Sequence, residues 1–134
     1  MFNEESIYIF NNVQLNNITT NSNYLLYFIN HNIILKQVKF KDINCLGDEN
    51  DSSLILFDSG ENDNQLILND IVIDNNKSNG SLIQIIGNSC QLAVSNSKIE
   101  NVISYGPIIK CTCDKVIIII KYIIKKNNIF TKIY

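Results

Sequence analysis

Residues that could carry out acid–base chemistry are few and scattered along this chain of 134 residues. Hydrolysis by two carboxylates needs both acids at a fixed separation, about 5 to 9.5 Å in glycosidases. No Asp-Asp or Asn-x-Asp strand motif places two such groups on one predicted strand face. Asp58, which follows Phe57 at a predicted strand end, is the best single candidate. Most of the aspartates are predicted to lie in loops or corners: Asp48, Asp51, Asp58, Asp63, Asp70 and Asp74.

His31 is the only histidine, and arginine is absent from the chain. His31 lies between Asn30 and Asn32 in a predicted corner, and this position favours an exposed turn residue over a proton shuttle. We therefore predict no catalytic residue, and the sequence favours a protein that is not an enzyme.

Two acidic loops offer oxygen atoms of the kind that calcium binds, namely Gly47–Asp51 (GDEND) and Gly60–Asn64 (GENDN). Calcium takes six to eight such ligands, and neither loop has the spacing of an EF-hand. Cys111 and Cys113 are one residue apart, which is too close for the usual zinc pair. We expect solvated loops, no metal site and no cofactor.

A degenerate repeat of roughly 26 to 33 residues organises the chain, and a period of that length is typical of solenoids. One segment type occurs at Tyr24–Phe28, Ser53–Phe57, Ser81–Ile85 and Pro107–Cys111. A second type follows at Ile33–Ile43, Leu66–Asn76 and Leu92–Val102, with an earlier copy at Tyr8–Ile18. Each copy therefore predicts one coil of stacked strands.

The apolar residues of the second segment align in columns. Val38-x-Phe40 and Ile71-x-Ile73 have the two-residue spacing of strands, whereas the three-residue step from Leu35 to Val38 predicts a bend. The first three columns are Phe10, Leu35, Leu68, Val94; Val13, Val38, Ile71, Ser97; and Leu15, Phe40, Ile73, Ile99. The fourth column is Ile18, Ile43 and Val102, with Asn76 as its exception.

A leucine-rich repeat has an overlapping period, and Leu35-x-x-Val38-x-Phe40 fits the start of its pattern. The asparagine expected next is replaced by Ile43 in one copy and Val102 in another. Each repeat also has a further β-rich segment where that family has a helix. The pattern therefore favours an all-β parallel solenoid of about four to five coils.

With these columns and its Asn-rich corners, such as Asn16-Asn17 and Asn75-Asn76, the chain resembles right-handed parallel β-helix proteins of the pectin-lyase-like superfamily. The resemblance covers about residues 7–120. It implies hydrogen-bonded asparagine ladders at corners and action on or at extracellular polysaccharide. The clustered Asp residues and the arginine of the family's enzymes have no counterpart here.

We expect β-helix coils over residues 1–120, with an incomplete N-terminal coil, and an irregular or frayed tail over residues 121–134. The uncharged run Val116–Ile120 is interpreted as a buried strand and is too short to span a membrane. With dispersed lysines and a net charge of −2, the sequence does not indicate a nucleic-acid partner. The chain reads as a fragment of a longer solenoid.

Cysteines and glycosylation sequons bear on the cellular compartment. Cys90 and Cys113 precede equivalent strands of adjacent coils, so we hypothesise a disulfide, which needs a Cα separation below about 7 Å. Cys111 is expected to be an inward core residue.

Four glycosylation sequons are predicted at the same corner or loop: Asn17, Asn50, Asn76 and Asn79. The acidic start of the chain shows no signal peptide, yet the resemblance favours an extracellular or cell-surface protein over a cytoplasmic one.

Three functional hypotheses follow. The first is a non-catalytic structural or interaction module of a secreted or cell-surface β-helix protein, with another solenoid coil as partner. The second is a carbohydrate-binding array of coils, in which Tyr8, Tyr27 and Tyr105 offer stacking faces. The third is part of a polysaccharide lyase or hydrolase whose catalytic coils lie outside these residues.

Overall fold

The computed structural model describes residues 6–48, 51–126 and 128–130, and it is a parallel β-solenoid of about five turns. In chain order its strands are β1 (Ile7–Thr20), β2 (Tyr24–Ile29), β3 (Asn32–Cys45), β4 (Ser53–Asp58), β5 (Gln65–Asn69), β6 (Val72–Asp74), β7 (Lys77–Ser78), β8 (Ser81–Glu100), β9 (Ile103–Ser104), β10 (Ile109–Lys126) and β11 (Ile129–Phe130). The all-β stacked fold predicted from the repeat is confirmed. Across the described ranges, no helix is long and apolar enough to cross a membrane.

Successive coils pair in parallel, and their register reproduces the predicted columns. Phe10 pairs with Leu35, Leu35 with Leu68, and Leu68 with Val94. Val94 pairs in turn with Ile120, so the column continues into β10. The first segment stacks in the same way, with Leu26, Ile55, Ile83 and Ile109 in line.

Each three-residue step contains one residue in the left-handed conformation, which turns the chain while the apolar residues on both sides remain inward. The first bend is formed by Asn12, Gln37, Asp70, Asn96 and Tyr122, with φ between 50° and 59°. The second is formed by Asn17, Asp42, Asn75 and Asn101, with φ between 54° and 56°. Asn and Asp tolerate this conformation better than other residues with a Cβ atom, which explains their abundance at these positions.

The core lies in the middle coils, where Phe40 and Phe57 are fully buried. The last coil differs from expectation, because Val116–Ile120 is between 39% and 56% exposed rather than buried. β10 pairs with β8 alone, so no described strand covers its other side. The expected coil boundary at residue 120 also differs from the structure: β10 continues in register with β8 through Lys126.

Candidate functional site: a polar corner groove

Side chains at the second bend form a ladder along the solenoid. The amide of Asn75 donates a hydrogen bond to Asp42 Oδ1 at 2.6 Å. The amide of Asn101 donates to Asp74 Oδ1 at 2.9 Å. The resemblance implied asparagine ladders at corners, and here each step pairs an asparagine with an aspartate of the preceding coil. Both carboxylates are therefore acceptors within the ladder.

A groove of about 400 Å³ runs beside this ladder. Its second wall is the outward column that follows the bend, in which Thr19 pairs with Asn44, Asn44 with Lys77 and Lys77 with Ile103. Coils repeat about every 4.8 Å along such a stack. The groove therefore presents a regular row of amide, hydroxyl, carboxylate and ammonium groups, which can bind a polar ligand through hydrogen bonds.

Asn76 lies behind the groove and points into the solenoid, with 3% of its surface exposed. Its Oδ1 accepts a hydrogen bond from the Ile43 amide at 3.1 Å, and its Nδ2 donates to the Phe40 carbonyl at 3.4 Å. Two coils further along the same column, Asn128 makes the equivalent contacts with the Val102 amide and the Ile99 carbonyl, each at 3.1 Å. Asn76, the polar exception in the column of Ile18, Ile43 and Val102, thus connects adjacent coils through its side-chain amide.

The sequons do not share one environment. Asn17 is exposed at the bend, whereas Asn79 is half-buried and donates from Nδ2 to the Gly47 carbonyl at 3.1 Å. A glycan on Asn76 does not fit this fold, because its Nδ2 is buried and hydrogen-bonded to the neighbouring coil. Asn50 lies outside the described residues.

The candidate acids and the histidine have structural contacts. Asp58 Oδ1 accepts a hydrogen bond from the Gly60 amide at 2.8 Å and so caps the turn after β4. His31 is half-buried and packs edge-on against Tyr8, with ring centroids 4.8 Å apart. Asp63, in the second acidic loop, lies 3.9 Å from the ammonium of Lys115. In the part of the chain that the structure describes, no three His, Cys, Asp or Glu side chains form a metal-binding group.

The tyrosines suggested as stacking faces do not line the corner groove. Tyr8 has His31 as its ring neighbour, and Tyr27 has Tyr24 at a centroid distance of 5.8 Å. Tyr105 follows β9 and donates its backbone amide to the Ser78 carbonyl at 3.3 Å. Sequence reasoning missed the groove itself, although the repeated Asn and Asp residues five positions apart in one coil, such as Asn12 and Asn17 or Asp70 and Asn75, were a usable signal.

The structure joins Cys90 and Cys113 in a disulfide, with Cα atoms 5.6 Å apart, which satisfies the condition set from the sequence. The bridge links β8 to β10. Cys111 is a free thiol packed against the core, as expected. Cys45 is fully buried, and burial raises the pKa of its thiol from 9.0 to about 11. This thiol is therefore protonated and unreactive at neutral pH.

Comparison with protein-family models, curated proteins and solved structures finds no match to this chain.

Proposed function

We propose that this chain is a non-catalytic structural or interaction module of a right-handed, pectin-lyase-like β-helix protein. The supporting observation is the use of its carboxylates. Asp42 and Asp74 accept amide hydrogen bonds within the corner ladder, and Asp58 caps a turn. Paired-carboxylate hydrolysis needs one acid to donate a proton and a second to act as base or nucleophile. Acids bound into ladders and turns suit a scaffold better than that reaction.

Carbohydrate binding is the second candidate, and the corner groove favours it. A polysaccharide presents many hydroxyl groups at regular intervals, and the groove presents hydrogen-bonding side chains once per coil. Asn44 and Lys77 lie next to each other in its outer wall. The side chains of these two residues would donate to sugar oxygens.

A secreted or cell-surface location is part of the proposal. Disulfides persist in oxidising compartments and are rare in the cytosol. The Cys90–Cys113 bridge is consistent with that setting. Exposed Asn17 would be the sequon best placed to carry a glycan.

One set of measurements tests these proposals. The purified chain is incubated with pectin, xylan and cellulose, and reducing ends and unsaturated products are measured over time. We expect no release of either. Release that is lost in an Asp58→Asn variant would contradict the non-catalytic role.

Co-sedimentation with the same polysaccharides tests the groove. If carbohydrate is the ligand, Lys77→Ala and Asn44→Ala weaken binding, whereas Lys39→Ala does not. Lys39 is a matched control, because it is an outward lysine of β3 that does not line the groove. Binding that is absent, or equal in all three variants, would rule out this groove as a carbohydrate site.

A further inference from the structure

Both ends of the solenoid have an open strand edge in the residues that the structure describes. At the first coil β1 pairs with β3 alone, and at the last coil β10 pairs with β8 alone. Large apolar side chains are exposed at both ends, including Tyr8 and Phe10 in β1 and Ile118 and Ile120 in β10. An open edge has unpaired backbone N–H and C=O groups that can pair with another strand.

The two ends belong to the same columns of inward residues. The column that begins with Tyr8 runs through Ile33, Leu66 and Leu92 to Ile118. The adjacent column begins with Phe10 and ends with Ile120. In these two columns, a strand with the pattern of β1 therefore meets β10 with apolar residues opposite apolar residues, in the same parallel direction and register as every internal pair.

The apolar interior also reaches the last coil. A cavity of about 290 Å³ extends from Leu68 in β5 and Ile73 in β6 to β10. Its walls in β10 include Ile120 and Ile123, and Lys125 lies at the same wall. A further coil placed on β10 would cover apolar surface that the described residues leave open.

The charges of the two ends favour one arrangement of two copies over another. β10 contains five lysines and one aspartate, a net charge of +4, whereas β1 and β2 contain no charged residue. Two β10 edges brought together would place like charges opposite each other, which is unfavourable across a strand pair. A β10 edge meeting a β1 edge avoids that repulsion.

We propose that a second copy of this chain covers the open end, with β1 of one copy pairing in parallel with β10 of the next. The proposal rests on the interaction role given above and names its partner. Because the two surfaces differ, the contact is head-to-tail and does not close on itself, so longer assemblies form as the concentration rises.

Lys125 limits this contact. It lies in the inward column of Leu15, Phe40, Ile73 and Ile99, where every other member is apolar. Inward charged residues at an edge are a common protection against edge-to-edge association. Lys125→Leu removes that charge from the contact, so we expect it to lower the concentration at which assembly begins by about tenfold.

Two variants, each blocking one end, test the proposal by sedimentation velocity. Phe10→Lys blocks the first coil and Ile120→Lys blocks the last. Each buries an unpaired charge in the contact, so we expect each to weaken self-association by about a hundredfold or more. Each variant alone stays monomeric at concentrations where the wild type assembles, and an equal mixture forms a dimer and nothing larger.

Matched controls use the same substitution at neighbouring outward positions. Ile9 and Ile119 belong to the column of Ile34, Ile67 and Ala93, none of which is fully buried. Ile9→Lys and Ile119→Lys should assemble like the wild type. Circular dichroism and thermal melting check the folding of every variant, and Tyr8→Lys replaces Phe10→Lys if the latter does not fold.

Three outcomes would overturn the proposal. An Ile120→Lys chain that still dimerises means that two first coils meet, and a dimerising Phe10→Lys chain means that two last coils meet. A wild type that stays monomeric up to its solubility limit means that something other than a second copy covers this end. The catalytic and polysaccharide assays are unaffected by any of these results, so failure here is distinguishable from failure of the proposed function.

Discussion

Removing the bridge between Cys90 and Cys113 should destabilise the last coil. The bridge closes a loop with a sequence separation of 23 residues. In the chain-entropy description, a loop of that length corresponds to about 3 kcal/mol of stabilisation, because the unfolded chain loses conformational freedom. We therefore expect Cys90→Ala/Cys113→Ala to lose about 3 kcal/mol in free energy of unfolding.

Urea denaturation followed by circular dichroism measures this loss. For a slope of about 1.5 kcal/mol per molar urea, the midpoint should fall by about 2 M. Dithiothreitol should lower the wild-type midpoint by a similar amount and leave the double variant unchanged. That second comparison separates loss of the bridge from any effect of the alanines on packing.

Hydrogen exchange locates the effect within the fold. Solenoid coils are stabilised chiefly by their neighbours, so a terminal coil can open before the rest. Among the residues that the structure describes, β10 pairs with one strand, β8. Its amides should therefore lose more protection on reduction than those of β3. A change in free energy below about 1 kcal/mol, or equal loss of protection in both strands, would refute the reasoning.

Three further predictions concern single residues in the middle coils. Asn76→Leu should lower the free energy of unfolding, measured by urea denaturation, by about 2 kcal/mol or more, because a buried backbone amide and a buried carbonyl lose their partner. The control Asn75→Ala changes an exposed residue and should lower it by less than about 1 kcal/mol. Equal losses in the two variants would contradict this prediction. Gly80→Ala should cost about 2 kcal/mol or more, because its Cβ would overlap the carbonyl oxygen of Ser52; an unchanged melting temperature would exclude that overlap. The folded pKa of Cys45 is raised from 9.0 to about 11, so its contribution to stability is complete below about pH 9 and declines as pH rises towards 11. The stability difference between wild type and Cys45→Ala should therefore narrow across that range, and a constant difference would contradict the raised pKa.

The bends of the coil could be predicted from the sequence because they interrupt a strict alternation. Leu35 and Val38 are both inward although three residues apart, so one residue between them must turn the chain. Gln37 does so at φ 54°. Apolar spacing alone was therefore enough to predict the position of the bend.

The end of the solenoid could not be predicted in the same way. An apolar run such as Val116–Ile120 has the same sequence whether a coil covers it on one side or on both. Burial is decided by neighbours in space, and β8 is the only neighbouring strand in the described residues. The prediction of a buried strand at Val116–Ile120 was therefore wrong about its exposure, although it was correct that this segment is a strand.

Two inward asparagines show how the register between adjacent coils is specified. Asn76 and Asn128 each bond a backbone amide and a backbone carbonyl of the preceding coil. Between them in the column lies Val102, so the polar contact occurs in every second coil. If one coil slipped by a single residue, the amide would move out of the core and leave these buried backbone groups without partners. Apolar columns alone tolerate substitution among Ile, Leu and Val, whereas this contact requires both an acceptor and a donor at one position. The asparagine that departs from the apolar column is therefore the residue that best specifies how adjacent coils align.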